Sequence, residues 1–171
     1  MGSETQKSGI LQELPDRPRR QSGPRLLFNE HELVVGFVRR LLTDHLGSVS
    51  RFDMSQSIGV TLDGELVAGV IYHDYRPQVG DIQLSVAASS PRWATRSIIR
   101  ELLAYPFEQL SCRRITATVR GDNRRALRFD AGIGFVVEGR MRAYNTEGVD
   151  QVILGMMREE WREGPFGRTH G

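Results

Sequence analysis

The sequence predicts an α/β domain in which helices flank one mixed β-sheet. The length of 171 residues suits one domain with its own core, and 39% of the residues are hydrophobic. Several runs alternate apolar and polar residues with a period of two, as strands do, and others carry apolar residues at helical spacing. The two kinds of run follow one another along the chain, which is the order of a layered α/β fold.

The first elements are a short strand and a helix. Residues 1–23 are polar and rich in Gly, Ser, Pro and Arg, which predicts a flexible tail ahead of a domain at 24–163. Asn29 is the predicted N-cap of the helix, and Gly47 is predicted to end it. Apolar residues recur between them at helical spacing: Leu33, Val34, Phe37, Leu41 and Leu42. Residues 164–171 predict a second flexible tail.

A β-hairpin and a fourth strand come next. Asp63-Gly64 separates two runs with strand composition, and Asp-Gly is a strong signal for a two-residue hairpin turn. The run DIQLSVAAS then alternates, with Ile82, Leu84 and Val86 on one face, and predicts the strand that follows the hairpin.

The second half of the chain predicts two helices and three strands. SSPRWATRSIIREL opens a helix that Pro106 should kink or end near Tyr105, because a proline inside a helix removes a hydrogen bond. RRITATVRG predicts a strand, and DNRRALRFDAGIGF predicts a short helix that ends in glycines. FVVEGRMRAY and VDQVILGMMREEW predict the last two strands.

Composition and charge narrow the classes of function. The formal net charge is +2, yet 22 of the 23 basic residues are arginine. This excess has two interpretations: a bias in the coding sequence, or contacts to phosphate groups, whose oxygens match the arginine fork. The single cysteine, Cys112, cannot form an internal disulfide. We therefore expect a reducing, cytoplasmic setting and a buried thiol that is not a nucleophile.

Other classes have no signal in the sequence. No apolar run is long enough to cross a bilayer, so no membrane partner is expected. The histidines lack metal-ligand spacing, so no metal is expected, and there is no Walker loop or GxGxxG turn.

Several stretches, over roughly Arg25 to Trp161, resemble the GNAT N-acetyltransferase superfamily. VTLDGELVAGVIYHDY is similar to the family's second and third strands. DIQLSVAASSPRWATRSIIREL is similar to its fourth strand, pyrophosphate loop and following helix. The most specific stretch, RRITATVRGDNRRALRFDAGIGFVVEGRMR, includes Asn123 and Gly134-Phe135. MMREEW resembles the branch that acetylates ribosomal-protein N-termini and antibiotics, and SPRWATR is similar to phage-borne members.

The resemblance implies a GNAT-like, mostly antiparallel sheet and transfer of an acetyl group from acetyl-CoA to a primary amine. Family members splay the fourth and fifth strands around the pantetheine arm, which here implies backbone contacts at Leu84, Val86 and Ala87. Asn123 and Phe129 complete the implied cofactor site. The loop that would wrap the pyrophosphate consists of Arg92, Trp93, Ala94, Thr95, Arg96 and Ser97.

This loop departs from the family pattern at two positions. The family has small residues where this chain has Thr95 and Ser97, and glycine there allows positive φ and close backbone approach. The two hydroxyls can donate to phosphate oxygens instead, and Arg96 adds charge. A compatible interpretation is that the stretch only caps a helix, through Ser89 or Ser90 with Pro91 in the first turn.

A second departure concerns the proton donor for the leaving thiolate. Many family members have a tyrosine where this chain has Asp130, and a carboxyl group donates at neutral pH only if burial raises its pKa. A thiolate is a good leaving group, so the acid is also dispensable. Tyr144 and Tyr72 are the other candidates.

The acceptor requires a base, because an amine is protonated near neutral pH. An imidazole has the ordinary pKa best suited to the task, and some family members carry an acidic residue at the start of the fourth strand. A backbone N–H of that strand is expected to stabilise the oxyanion. The candidate bases on the predicted central strands are His73, Asp74, Asp81 and Glu138.

Three classes of function remain open, of which the third is a structural homologue that serves a larger complex. The first is an acetyl-CoA-dependent N-acetyltransferase, monomeric or homodimeric, whose acceptor is a protein amine, a small amine or an aminoacyl-tRNA. The second is a divergent or non-catalytic GNAT-like protein, including a phage-encoded one, that binds CoA or associates with nucleic acid. The lost glycines and the missing tyrosine favour the second, and so do two arginine clusters, Arg113-Arg114 and Arg124-Arg125-Arg128. A cationic antibiotic would need an acidic cleft, for which the available residues are Asp74, Asp81, Asp130 and Glu138.

Overall fold

The computed structural model describes residues 23–42, 52 and 54–167 of the chain. Over these residues, strands of one sheet alternate with α-helices. The strands are β1 Arg25–Leu27, β2 Gln56–Leu62, β3 Glu65–Arg76, β4 Asp81–Ala88, β5 Arg114–Arg120, β6 Val136–Met141 and β7 Gln151–Met157. The helices are α1 His31–Leu42, α2 Arg96–Ala104, α3 Arg124–Ile133 and α4 Arg158–Glu163. Gly47, residues 1–22 of the expected N-terminal tail and residues 168–171 lie outside the described residues.

The sheet has the strand order β1-β2-β3-β4-β5-β7-β6. Neighbouring strands are antiparallel except β4 and β5, which are parallel. The prediction of a mixed, mostly antiparallel sheet flanked by helices is therefore confirmed. Because β7 inserts between β5 and β6, β6 lies at an edge of the described sheet. Glu138 is on β6, so the prediction that it lies on a central strand is wrong.

The predicted hairpin forms between β2 and β3. Both turn residues have positive φ, 54° at Asp63 and 89° at Gly64, as a type I′ turn requires. This turn fixes a register in which Ser57 lies opposite Ile71. Ile71 in turn lies opposite Ser85 of β4, so the three residues form one row across the sheet.

The starts of the first two helices differ from the predictions. Helix α1 begins at His31, and Asn29 has φ of 62°, so Asn29 is not its N-cap; an N-cap residue has an extended backbone. Ser90 does cap a helical turn, but only a short 3-10 turn at Pro91–Trp93. Helix α2 starts later, at Arg96, and is capped by Thr95.

Pro106 ends helix α2 as predicted. The α-helical hydrogen bonding stops at Ala104, and a π-helical turn, Tyr105–Gln109, follows. The wider turn accommodates the missing N–H of the proline.

The last predicted strand extends too far. β7 ends at Met157, and the residues after it form helix α4. The Glu160 carboxylate accepts a hydrogen bond of 2.8 Å from the Met157 N–H, and acidic residues in a first turn favour a helix start. Trp161 is buried against Phe107, with ring centroids 5.2 Å apart, which fixes the helix to the core. β6 is also shorter than predicted and ends at Met141.

Among the residues that the structure describes, two apolar clusters pack against the sheet. The larger joins the sheet to α2, and the Tyr72 hydroxyl inside it donates to the Leu102 carbonyl at 2.8 Å. The smaller joins it to α1 through Val34 and Val38. Cys112 is buried in the larger cluster, as predicted. In the described part of the chain, no helix has both the length and the apolar character that crossing a membrane requires.

Candidate active site

The parallel strands β4 and β5 part halfway along their length. Residue pairs join them from Asp81 and Arg114 to Leu84 and Ala117. β4 continues to Ala88 paired with β3, and β5 continues paired with β7. Within these two fully described strands, the edge of residues 85–88 that faces β5 has no partner strand. Its backbone N–H and C=O groups are therefore available to a ligand.

The side chains at this opening differ in exposure. Leu84 and Ala87 are buried and belong to the two core clusters, on opposite faces of the sheet. Val86 is 41% exposed. The three residues that the resemblance assigns to the pantetheine arm thus lie where β4 leaves β5, and Val86 is the one with an open apolar side chain.

The loop after β4 presents cations and a capped helix end. The Thr95 hydroxyl oxygen accepts a hydrogen bond of 3.4 Å from the Ile98 N–H and lies 3.2 Å from the Ser97 hydroxyl. Arg92 and Arg96 are exposed on either side of Thr95. The first turn of α2 combines a positive dipole end with free N–H groups, which suits an anion.

A second helix begins at the same edge of the sheet. The Asn123 side-chain oxygen caps α3 by accepting a 3.1 Å hydrogen bond from the Ala126 N–H. α2 follows β4 and α3 follows β5, and the carboxyl ends of parallel neighbours share an edge, where ligands bind in α/β sheets. Trp93 of the loop contacts Phe129 of α3, with ring centroids 5.7 Å apart. Ala94 is half-buried beside Trp93 and packs against the larger cluster.

The exposed face of the loop also meets the C-terminal segment. The Arg96 guanidinium lies 5.7 Å from the centre of the Phe166 ring, a cation–π contact. Phe166 is half-buried and packs against the larger cluster, so this contact holds Arg96 close to the protein surface.

Asp81 lies at the closed end of the two strands and is fully buried. Its carboxylate accepts a 2.9 Å hydrogen bond from the Thr116 hydroxyl and pairs with Arg76 and, at 3.4 Å, with Arg114. Arg114 also pairs with Glu138 at 2.7 Å. The fold thus brings Asp81 and Glu138 together. Arginines pair with both carboxylates, so the two residues do not form an open acidic cleft.

His73 sits in a chain of three hydrogen-bonded side chains. Its Nδ1 lies 2.9 Å from the Asp74 carboxylate, and its Nε2 lies 2.9 Å from the Ser85 hydroxyl. The ring is only 4% exposed and meets the edge of Phe52, with centroids 5.3 Å apart. Ser85 was not singled out from the sequence. The signal that places it beside His73 is the register of β3 and β4, which a single sequence does not contain.

The candidate acids occupy three different environments. Asp130 is half-buried on α3, and burial raises the pKa of its carboxyl to about 6. Tyr72 is buried with its hydroxyl bonded to Leu102, and burial raises the pKa of that phenol well above its ordinary value. Tyr144 lies in the exposed turn between β6 and β7.

A pocket of about 200 Å³ lies elsewhere in the fold. It is lined by residues near β1, β2, the start of α1 and the α2 turn, including His31, Ser57 and Glu101. None of the predicted site residues lines it, so we place the candidate site at the parted strands. Among the described residues, no group of three His, Cys, Asp or Glu side chains is placed to hold a metal ion.

Comparisons with known proteins bear on the fold. No family model and no curated protein matches the sequence. A mutant of the spermidine N-acetyltransferase SpeG from Vibrio cholerae is similar in structure, with a TM-score of 0.65 and 16% identity, over 82% of this chain and 96% of that one. A dodecameric structure of spermidine N-acetyltransferase from Vibrio cholerae gives the same values. A T. thermophilus protein assigned as an acetyltransferase has a TM-score of 0.61 and 19% identity, over 82% and 89%.

Over its described residues the chain therefore has the GNAT-like acetyltransferase fold, and there the mostly antiparallel sheet has seven strands and is flanked by helices. At these identities the likeness concerns the fold alone. The activity must be argued from the residues at the parted strands.

Proposed function

We propose that the protein is an N-acetyltransferase that moves an acetyl group from acetyl-CoA directly to a primary amine. The observation that carries this proposal is the separation of β4 from β5 after Leu84 and Ala117, beside two capped helix starts. The unpaired edge of β4 therefore lies next to two helix N-termini that attract anions. This arrangement suits a ligand that carries both amide groups and phosphates. The fold shared with spermidine N-acetyltransferase supports the proposal.

The parted strands suit the pantetheine arm. Its amide groups can bond with the free N–H and C=O groups of residues 85–88, as an added strand would. Exposed Val86 offers apolar contact, whereas buried Leu84 and Ala87 keep β4 in place. An N–H of the same edge is the donor that we assign to the thioester oxyanion.

The loop after β4 suits the phosphates. Arg92 and Arg96 supply charge, the Ser97 hydroxyl can donate, and the first turn of α2 supplies backbone N–H groups. Thr95 uses its oxygen as the helix cap, so only its hydrogen remains to donate. Glycine is not required for this set of donors, because each of them belongs to a helix start or a side chain. Trp93, Ala94, Asn123 and Phe129 are assigned to support the loop and α3.

We assign the base to His73 in preference to Asp81. His73 reaches the opening through Ser85, the first β4 residue beyond the last pair with β5. An amine proton can pass to the Ser85 oxygen while the Ser85 proton passes to His73 Nε2. Asp81 is fully buried at the closed end and bonded to three partners, so an acceptor amine at the opening does not reach its carboxylate. Glu138 is paired with Arg114 at the sheet edge.

We assign the thiolate's proton to Asp130. Burial raises the pKa of this carboxyl to about 6, the direction that a donor near neutral pH needs. Tyr72 is a poor alternative because its hydroxyl already donates to Leu102. Tyr144 stays a candidate only if the turn that carries it approaches the opening.

The acceptor is a primary amine of a protein, a small molecule or an aminoacyl-tRNA. Because arginines match the charges of Asp81 and Glu138, these two carboxylates do not favour a cationic antibiotic. Self-association, cytoplasmic location and the likeness to phage-borne members stay predictions.

Calorimetry with acetyl-CoA is the primary test. We expect binding, followed by thiol release when peptides, polyamines or aminoacyl-tRNA are added. His73→Asn should reduce that release, whereas His31→Asn should not, although His31 also bonds a serine, at 2.9 Å from Ser57. Absence of binding at millimolar acetyl-CoA would contradict the proposal.

A second candidate function is association with nucleic acid. Arg124, Arg125 and Arg128 are exposed at the start of α3, and within the described residues none of them forms an ion pair. Such side chains bind phosphates irrespective of sequence. Binding of tRNA measured against salt concentration tests this candidate. Replacing the three arginines with glutamine should flatten the salt dependence, whereas Arg140→Gln should not, since Arg140 is paired with Asp150.

A further inference from the structure

We propose that Ser85 accepts the acetyl group itself, so that the protein hydrolyses acetyl-CoA through an acetyl-serine when no amine is present. The inference rests on the proposed function, because it requires the thioester to lie where β4 and β5 part. It differs from amine transfer in its acceptor, a side chain of the protein, and in its product, acetate.

The geometry is that of a nucleophile, a base and an orienting carboxylate. Ser85 Oγ lies 2.9 Å from His73 Nε2, and the Asp74 carboxylate lies 2.9 Å from His73 Nδ1. An ionised carboxylate only accepts hydrogen bonds, so the ring proton belongs on Nδ1. The lone pair of Nε2 then faces Ser85 and can take its hydroxyl proton. Triads are recognised by these roles, whatever the order of the residues in the chain.

Two features of the backbone create this arrangement. The register of β3 and β4 places Ile71 opposite Ser85 and His73 opposite Gln83, so His73 and Ser85 are diagonal neighbours on one face of the sheet. Asp74 would point to the other face in a regular strand. Its φ of 49° breaks the alternation and lets its carboxylate reach back to the preceding ring. Aspartate is among the few residues that adopt this conformation readily.

The position of Ser85 separates it from other serines of the sheet. It is the first β4 residue past the Leu84–Ala117 pair, so its hydroxyl lies at the start of the opening. Ser57 occupies the same row of the sheet and also lies 2.9 Å from a histidine, His31. Ser57 is on β2, away from the parted strands, and within the described residues no carboxylate bonds to its histidine. The pair of Ser57 and His31 therefore provides a matched control for the pair of Ser85 and His73.

The chemistry balances without any co-reactant other than water. Ser85 Oγ bonds to the thioester carbonyl carbon, and its proton passes to His73 Nε2. The carbon–sulfur bond breaks, and that proton passes to the CoA sulfur. Water then attacks the ester carbon while His73 takes one of its protons, the carbon–Oγ bond breaks, and the proton returns to Oγ. The products are CoA thiol, acetate and the proton that the new carboxyl group releases.

The test measures CoA release from acetyl-CoA without any amine, with acetate determined in parallel. We expect release in the wild-type protein and in Ser57→Ala, and loss to background in Ser85→Ala. Asp74→Asn should reduce the rate by about 100-fold or more, since misorienting the base costs up to about 10⁴-fold in a serine triad. Acid quenching followed by peptide mass spectrometry should find one acetyl group on Ser85.

Calorimetry on the same samples separates this inference from the proposed function. Binding of acetyl-CoA and transfer to an amine, with no amine-independent release and no acetylated residue 85 in wild type or Ser85→Cys, would overturn the inference alone. Ser85→Cys is included because a thioester on cysteine would accumulate even if the serine ester turned over quickly. Absence of acetyl-CoA binding would overturn both. Equal release from Ser85→Ala and wild type would also overturn the inference.

Discussion

Trp93 and Phe129 contact each other with ring centroids 5.7 Å apart, and this contact joins the loop after β4 to helix α3. Trp93 is only 7% exposed, although its neighbours Pro91 and Arg92 are exposed. The loop is therefore held to α3 by a buried aromatic pair, and the two helix starts are held in a fixed relation. The proposed phosphate site depends on that relation, because the contact with α3 holds in place the loop that carries its donors.

Trp93→Ala should lower the free energy of unfolding by about 3–5 kcal/mol, the usual cost of deleting a buried tryptophan. A double-mutant cycle with Phe129→Ala should give a coupling of about 0.5–1.5 kcal/mol, the range for aromatic pairs. Denaturant unfolding measures both values. Phe28→Ala is the control, because Phe28 is exposed and its replacement should change stability by less than about 0.5 kcal/mol. A coupling near zero would mean that the loop and α3 are fixed independently.

Arg96→Ala should weaken acetyl-CoA binding by roughly 10-fold or more, since a charged hydrogen bond to phosphate contributes about 1.5–3 kcal/mol. Titration calorimetry checks this, at two salt concentrations to separate charge from packing. Arg25→Ala removes the same charge from an exposed position on β1 and should leave the affinity unchanged. Equal affinities for Arg96→Ala and wild type would place the phosphates elsewhere.

Asp130→Asn should stabilise the protein at pH 8 and have little effect at pH 4. Burial raises the pKa of this carboxyl from 3.8 to about 6, so the folded state binds its proton more tightly than the unfolded state. The associated stability is complete below about pH 4 and is lost as the pH rises through about 6. Since asparagine stays neutral, it should gain about 1–3 kcal/mol at pH 8. Thermal unfolding at both pH values measures the difference, and an equal shift at both would contradict the buried carboxyl.

Cys112 should resist thiol reagents in the folded protein. Its side chain is fully buried, and burial raises the pKa of the thiol, so little thiolate is available to react. A chromogenic disulfide reagent should label one thiol in denaturant and none within the same time in buffer. Labelling of the folded protein at the rate of a free thiol would show that this part of the core opens readily. Slow labelling also means that thiol-release assays report CoA rather than the protein.

The elements that sequence predicts well have strong local signals. Asp63-Gly64 specifies its turn through two positive φ values, and Pro106 removes an N–H at the point where α2 ends. The predicted last strand continues to Trp161, although the three residues between Met157 and Trp161 are all charged. The competing signal is Glu160, whose carboxylate satisfies a backbone donor and starts a helix instead.

The side chains of the site depend on relations between strands, and a single sequence does not contain these. Asp74, His73 and Ser85 meet only because β3 and β4 pair in one register and because the backbone at Asp74 leaves the regular strand. The edge position of Glu138 follows from the insertion of β7 between β5 and β6. His73 could be proposed as a base from its chemistry, whereas Ser85 has no feature in the sequence that distinguishes it from other serines.

The ion-paired group of Arg76, Asp81, Arg114 and Glu138 links four strands at the end where β4 and β5 remain paired. Because this group holds β4 and β5 together at one end, we expect it to influence how far apart they lie at the opening. Weakening the ion pairs should therefore widen the opening several residues away without removing any group that lines it. Substitutions at Arg76 or Glu138 are therefore expected to alter which acyl chains fit, so that acyl selectivity reports on residues that no substrate touches.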